Sequence, residues 1–151
     1  MNAIENNWIE EVGKPAFDSI AGMVEAADLD WERLEELRED CDEDDREELE
    51  KLEAEAGDCT DEDDANTRIQ DDPLSIELGG WWSPGGEPVP TEYRILLTTG
   101  GPAVQITGNL GEHNEASSAT LEVQDWGKPW TSFYCDEDVL LSYVGRLYLG
   151  E

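Results

Sequence analysis

Asp40, Asp42 and Asp44 alternate through D-C-D-E-D, the way a calcium-wrapping loop begins, and the residues that follow decide whether that chemistry goes further. Such a loop needs glycine at its sixth place for a sharp turn and a bidentate glutamate at its twelfth, but these places hold Asp45 and Lys51. A second register starting at Asp61 puts Ala65 where a ligand is required. The pattern predicts loose attraction of divalent ions rather than a built site. Zinc would need three or four convergent ligands, and the supply is Cys41, Cys59, Cys135 and the single His113, at spacings that carry no information. Cys41 and Cys135 are expected to be small packing residues and His113 a solvated loop residue. No metal or other cofactor is indicated.

Catalysis finds little support in the residue types. One histidine leaves a single candidate base near neutral pH, and no G-x-S-x-G, phosphate-cradling glycine loop or H-E-x-x-H accompanies it. Gly100-Gly101-Pro102 is too short to cradle a phosphate and reads as a turn. Carboxylates are so numerous that any acid–base pair can be imagined, which removes the value of the signal. Trp81, Trp82, Trp126 and Trp130 offer a platform for a sugar or peptide, but adjacent strand residues point to opposite faces. The set is expected to serve packing and turn anchoring, and an exposed tryptophan would instead mark a contact surface.

The remaining chemistry is negative charge at close spacing. On a helix, carboxylates three and four residues apart stand roughly 5–6 Å from one another. That is comparable to a nucleic-acid strand, where a charge falls about every 3.4 Å of axis. Glu32, Glu36, Glu39 and Glu43 form one such row, and Asp44, Glu48 and Glu55 another. With Asp40, Asp42, Asp45, Asp61 and Asp63 they are the candidate partner-binding residues, able to occupy a positively charged groove in place of phosphates.

Such rows need helices to mount them. Ile4, Trp8 and Val12 predict a short helix ending at Gly13, and Pro15 suits the first turn of a second one carrying Phe17, Ile20, Ala21, Val24 and Ala27. Asp28 or Asp30 can cap a third, with Trp31, Leu34, Leu37 and Cys41 as its apolar stripe. Leu49, Leu52 and Ala56 predict another, closed by Gly57. Like-charge repulsion and the polar composition of 40–64 equally suit a solvating tail, so order in that run is left open.

Near Asp72-Pro73 the apolar period changes from helical to alternating. Ile76 to Trp82 predicts a strand, Ser83 to Pro90 a turn-rich loop, and Tyr93, Ile95 and Leu97 a strand that returns through Val104 and Ile106. Ala119, Leu121 and Val123 alternate once more. Asp136 then caps a last helix with Val139, Leu140, Tyr143, Val144 and Leu147, closed by Gly150 and expected to lie across the sheet. Short turns between strands favour an antiparallel meander. The expected fold is α+β: an acidic helical region over 1–72, then over 73–151 an antiparallel meander of three to five strands with a C-terminal helix packed on it, together one compact unit.

Charge follows the same division. Of 39 acidic and 9 basic residues in 151, residues 1–72 hold 28 and 6, a net of −22, against 11 and 3, a net of −8, over 73–151. A chain at −30 without a Lys/Arg cluster repels nucleic acid and anionic membrane, so its partners are expected to be basic. Halophilic solubility also favours acid, but would spread it over both halves. No stretch approaches the roughly 18 apolar residues of a membrane span, and no signal-like start is present; with an odd number of scattered cysteines this fits a reduced, cytoplasmic setting.

R-I-L-L-T-T-G-G-P-A-V-Q-I-T-G, Arg94 to Gly108, and L-E-V-Q-D-W-G-K-P-W, Leu121 to Trp130, resemble a group of small bacterial, phage and mobile-element proteins with no established activity. The first half is similar, in composition alone, to the DNA-mimic proteins that phages and plasmids use against restriction and CRISPR systems. That similarity implies a non-enzymatic inhibitor whose acidic helices bind a basic nucleic-acid-handling protein; a two-fold dimer would double the length of any acidic strip. The alternative is an acidic adaptor or immunity-type protein that uses the sheet and its tryptophans.

Overall fold

Trp8, Ile9, Val12, Ala16, Phe17, Ile20 and Val24 continue one apolar stripe across Gly13 and Pro15, and the chain forms a single helix there, α1 (Ala3–Ala27), in place of the two expected. Pro15 costs a helix interior about 3 kcal/mol. Burial of Ile20 and Val24 returns roughly 1.5–3 kcal/mol each, which outweighs it. Gly13 does not end the helix: it admits the Phe133 ring, whose Cδ1 would stand 2.4 Å from a Cβ at that position.

The computed structural model describes residues 3–82, 88–99, 102–147 and 149, with the side chains of 3–7, 81, 82, 88 and 89 outside that description. The expected turn at Gly100-Gly101, the closing Gly150 and the side chains of Trp81 and Trp82 therefore lie outside the described residues.

Helix α2 (Trp31–Glu39) is capped by Asp30, whose carboxylate accepts the Arg33 N–H at 3.0 Å. Trp31, Leu34 and Leu37 are buried, and the Trp31 indole N–H donates to the Ala26 carbonyl at 2.9 Å. Three buried side chains contribute several kcal/mol, against a few tenths for each repelling carboxylate pair, so packing decides for helix. Cys41 was expected to extend this stripe; the helix stops first and Cys41 is exposed. Cys135 does pack, half-buried, against the core.

A 3-10 turn, Glu43–Asp45, leads into α3 (Arg46–Ala56), which Gly57 closes at φ 60 with its N–H shared between the Glu53 and Ala54 carbonyls. Helix α4 (Glu62–Asp71) was not anticipated. Its signal is a cap exchange: Asp61 accepts the Asp64 N–H at 2.7 Å while Asp64 accepts the Thr60 N–H at 3.0 Å, ahead of Ala65 and Ile69, both buried. The run 40–64 is thus ordered.

Five strands follow in sequence order as one antiparallel meander: β1 (Ser75–Trp82), β2 (Pro88–Thr98), β3 (Ala103–Asn109), β4 (Thr120–Gln124) and β5 (Thr131–Phe133). Pro88 to Pro90, expected in a loop, already belongs to β2. Register places Ile76, Ile95, Ile106, Leu121 and Phe133 in one row across all five strands. Helix α5 (Glu137–Val144) starts at its predicted cap, Asp136, and ends at Gly145, earlier than expected. It contacts β4 and α1, while α1 lies against β3, β4 and β5 and touches α3 and α4. The fold is α+β, and one core cluster joins Ile20, Leu34, Ala56 and Ile69 from the helical half to Ile95, Ile106, Leu121 and Tyr143 from the other. No helix among the described residues is long and apolar enough to cross a membrane.

Candidate partner-binding surface

Helices α2 and α3 are joined by two arginine forks. Arg33 holds Glu48 through Nε at 2.9 Å and a terminal nitrogen at 3.0 Å, and Arg38 holds Glu53 the same way at 2.8 and 3.1 Å. Both pairs are 15 residues apart, so the contacts advance in step along the two helices. Arg33 also lies 3.5 Å from Glu36 and 3.8 Å from Asp45. These hydrogen bonds hold the carboxyls of Glu48 and Glu53 below the usual glutamate range and raise both guanidinium groups.

The forks divide the candidate residues. Glu48, Asp45 and Glu36 are engaged by Arg33, and Asp61 is committed to its cap. Glu32, Glu39, Asp40, Asp42, Glu43, Asp44 and Asp63 are exposed, with no cation paired to them among the described residues. Glu55 is half-buried on α3.

The helical rows do not survive intact. Helix α2 ends at Glu39, Asp40 is extended (φ −148, ψ 105), and Glu43 and Asp44 fall in the 3-10 turn, so Glu32, Glu36 and Glu39 keep a common helix while Glu43 leaves it. Likewise Asp44 precedes α3, which carries Glu48 and Glu55. The break comes where acidic side chains crowd every position from Glu39 to Asp45 except Cys41; repulsion and the low helix propensity of aspartate meet no buried side chain to oppose them.

What the structure brings together was not legible as a row. Glu32 and Glu35 of α2 face Asp61, Glu62 and Asp63 at the start of α4 across a cleft of about 400 Å³, with Trp31 in its wall. A single guanidinium or ammonium entering it would meet carboxylates from two elements far apart in sequence. Among the described residues, no three His, Cys, Asp or Glu side chains converge closely enough to hold a metal ion.

Elsewhere the groups are less suggestive. A hollow of about 500 Å³ on the open face of β1–β3 is lined by Glu77, Arg94, Thr107 and Asn109, with Arg94 tied to Glu77 at 2.7 Å. Gln105, a buried residue that also lines it, donates to Glu122 at 2.8 Å. His113 is exposed and its backbone N–H donates to Glu115, while the Asp125 carboxylate accepts the Trp126 N–H; neither residue lines this hollow or the acidic cleft. Trp130 is half-buried, but Trp126 is 80% exposed, so it does not serve packing and is the exposed tryptophan that marks a contact surface; Tyr134 nearby in sequence is 98% exposed.

Comparison with protein-family models, curated proteins and solved structures finds no match for this chain. The functional reading therefore rests on the surface itself.

Proposed function

We propose that the protein is a cytoplasmic, non-enzymatic inhibitor that binds a basic nucleic-acid-handling protein, of the anti-restriction or anti-CRISPR kind, by presenting ordered acidic helices in place of a nucleic-acid strand. The observation that carries the reading is the surplus of unpaired carboxylate on α2, the 3-10 turn and the start of α4. Arg33, Arg38 and Arg68 are already engaged, yet Glu32, Glu39, Asp42, Asp44 and Asp63 stand exposed with no ion pair among the described residues, and Glu35 is exposed with only a share in the attraction of Arg38, which Glu53 already holds. Mimicry favours charge on ordered backbone, because a rigid array loses less entropy on binding than a solvated tail.

Competition tests it. The protein is expected to displace duplex DNA from a restriction, CRISPR or repressor protein, with affinity falling steeply as salt rises. The combined variant Glu32→Gln, Glu35→Gln, Asp63→Asn is expected to lose about tenfold or more in affinity, with Asp61 kept so that α4 stays capped. Salt-independent displacement, or full activity of the triple variant, would sink the proposal.

The exposure of Trp126 and Tyr134 favours a second reading, an adaptor or immunity-type protein that makes its contact with aromatic side chains beside β4 and β5. In that case Trp126→Ala with Tyr134→Ala abolishes partner capture, and the triple carboxylate variant retains it.

A further inference from the structure

The buried row of the sheet runs off its end at β1. Ile95, Ile106 and Leu121 are fully buried, whereas Ile76, in line with them, is 37% exposed; two residues on along the same face Leu78 is 40% exposed, and two residues back Leu74 is 59% exposed. These are three of the five large apolar side chains left exposed among the described residues, and they fall at the alternate spacing of one strand face. Beside Ile76 lies a cavity of about 450 Å³ walled by Gln70, Arg146 and Leu147.

Strand β1 pairs with β2 alone among the described residues, so its other edge presents backbone N–H and C=O groups without a ladder. The regular edge extends from Ser75 to Gly79, where a register shift interrupts it before Gly80. On the opposite face from Ile76 and Leu78 stand Glu77, held by Arg94 at 2.7 Å, and, across from Gly79, the exposed Glu92, which has no ion pair among the described residues. Asp71 and Asp72 lead the chain into the strand.

We propose that this edge is the docking site of an extended segment of a protein partner with alternating apolar and basic residues. The segment adds as a sixth strand, continues the Ile76 and Leu78 rows, seats one apolar side chain in the cavity, and turns its basic side chains to the face that carries the unpaired Glu92 beside the Glu77–Arg94 pair. A second copy of this chain fits poorly, because it would set Glu77 beside its own equivalent and bring together two molecules of net charge −30. The inference is independent of the acidic-helix reading: it concerns another surface and stands or falls with different variants.

The test uses the full chain and a synthetic peptide of alternating valine and lysine, titrated by calorimetry and by backbone amide shifts. The expected result is saturable binding with shifts centred on Ser75 to Gly79, weakened about tenfold by N-methylating the peptide's edge-facing amides. Ile76→Asp and Leu74→Asp separate docking from attraction by charge, since each adds negative charge while removing an apolar contact. Docking predicts that both weaken binding about tenfold, whereas charge alone predicts that both strengthen it. Leu74 precedes the strand and is largely exposed, so its variant keeps the fold. Equal binding of a peptide with its valines and lysines in separate blocks, stronger binding by the aspartate variants, or a dimer that Leu74→Asp dissolves would each overturn the proposal.

Discussion

A methyl group added at Gly22 meets nothing within 4 Å, while one added at Gly13 on the same helix would meet Phe133 at 2.4 Å. Gly22→Ala therefore gains helix propensity without a clash and is expected to stabilise the protein by about 0.5–1 kcal/mol. Gly13→Ala gains the same propensity but must displace an aromatic ring, at about 1–3 kcal/mol for overpacking, so the net effect is destabilising. Gly108→Ala should be worse than either, because the new Cβ would lie 2.0 Å from the Ser118 carbonyl oxygen, a backbone atom that cannot swing aside. Urea unfolding of the three variants gives the order, and a Gly13→Ala protein as stable as Gly22→Ala would contradict the Phe133 contact. The sequence offered no means of separating the two helix glycines. Gly13 reads locally as a stop, and its reason for being glycine belongs to a strand residue at the far end of the chain.

Between elements, a few polar contacts fix how the helices meet. The Tyr143 hydroxyl donates to Asp72 at 2.6 Å, joining α5 to the end of α4, and burial together with this bond pushes the Tyr143 phenol far above its usual pKa. Asp72 is exposed and regains water when the phenol is removed, so Tyr143→Phe is expected to cost only about 1 kcal/mol. A loss of several kcal/mol in thermal or urea unfolding would show that the contact holds more than its own bond.

The Arg38–Glu53 fork is more exposed, and a double-mutant cycle with Arg38→Gln and Glu53→Gln should give a coupling of roughly 0.3–1 kcal/mol. Because the folded Glu53 carboxyl lies below the ordinary glutamate value of about 4.3, this stability is complete above that pH and fades as pH falls through the lower folded value. The cycle should therefore register coupling at pH 7 and none near pH 2. Coupling that grows on acidification would reverse the assignment. Capped and striped elements were legible from sequence: Asp30, Gly57 and Asp136 all stand where their types predict. Helix α4 was not, because its apolar stripe is only Ala65 and Ile69 and its opening E-D-D reads as more of the acidic run until the capping by Asp61 is recognised. The acidic cleft shares that fate, since Glu32 and Asp63 are brought together by packing and not by spacing.

Taken as a whole, the molecule sets weak local attraction against long-range repulsion. The described ion pairs are all at least partly exposed and contribute little each, whereas 39 acidic against 9 basic residues repel throughout the volume. Salt weakens both terms, but the repulsion acts over the greater distance and is screened first: the Debye length falls from about 30 Å at 0.01 M to about 8 Å at 0.15 M, which leaves forked pairs near 3 Å largely intact. The melting temperature of the free protein is therefore expected to rise by several degrees between those salt concentrations in a calorimetric scan. Affinity for a basic partner should fall over the same range, because that attraction is what the salt screens. The two slopes have opposite signs and one cause. A melting temperature that fell with salt would mean that the exposed pairs outweigh the surplus of charge, and the acidic half would then be held together by its forks and not in spite of its carboxylates.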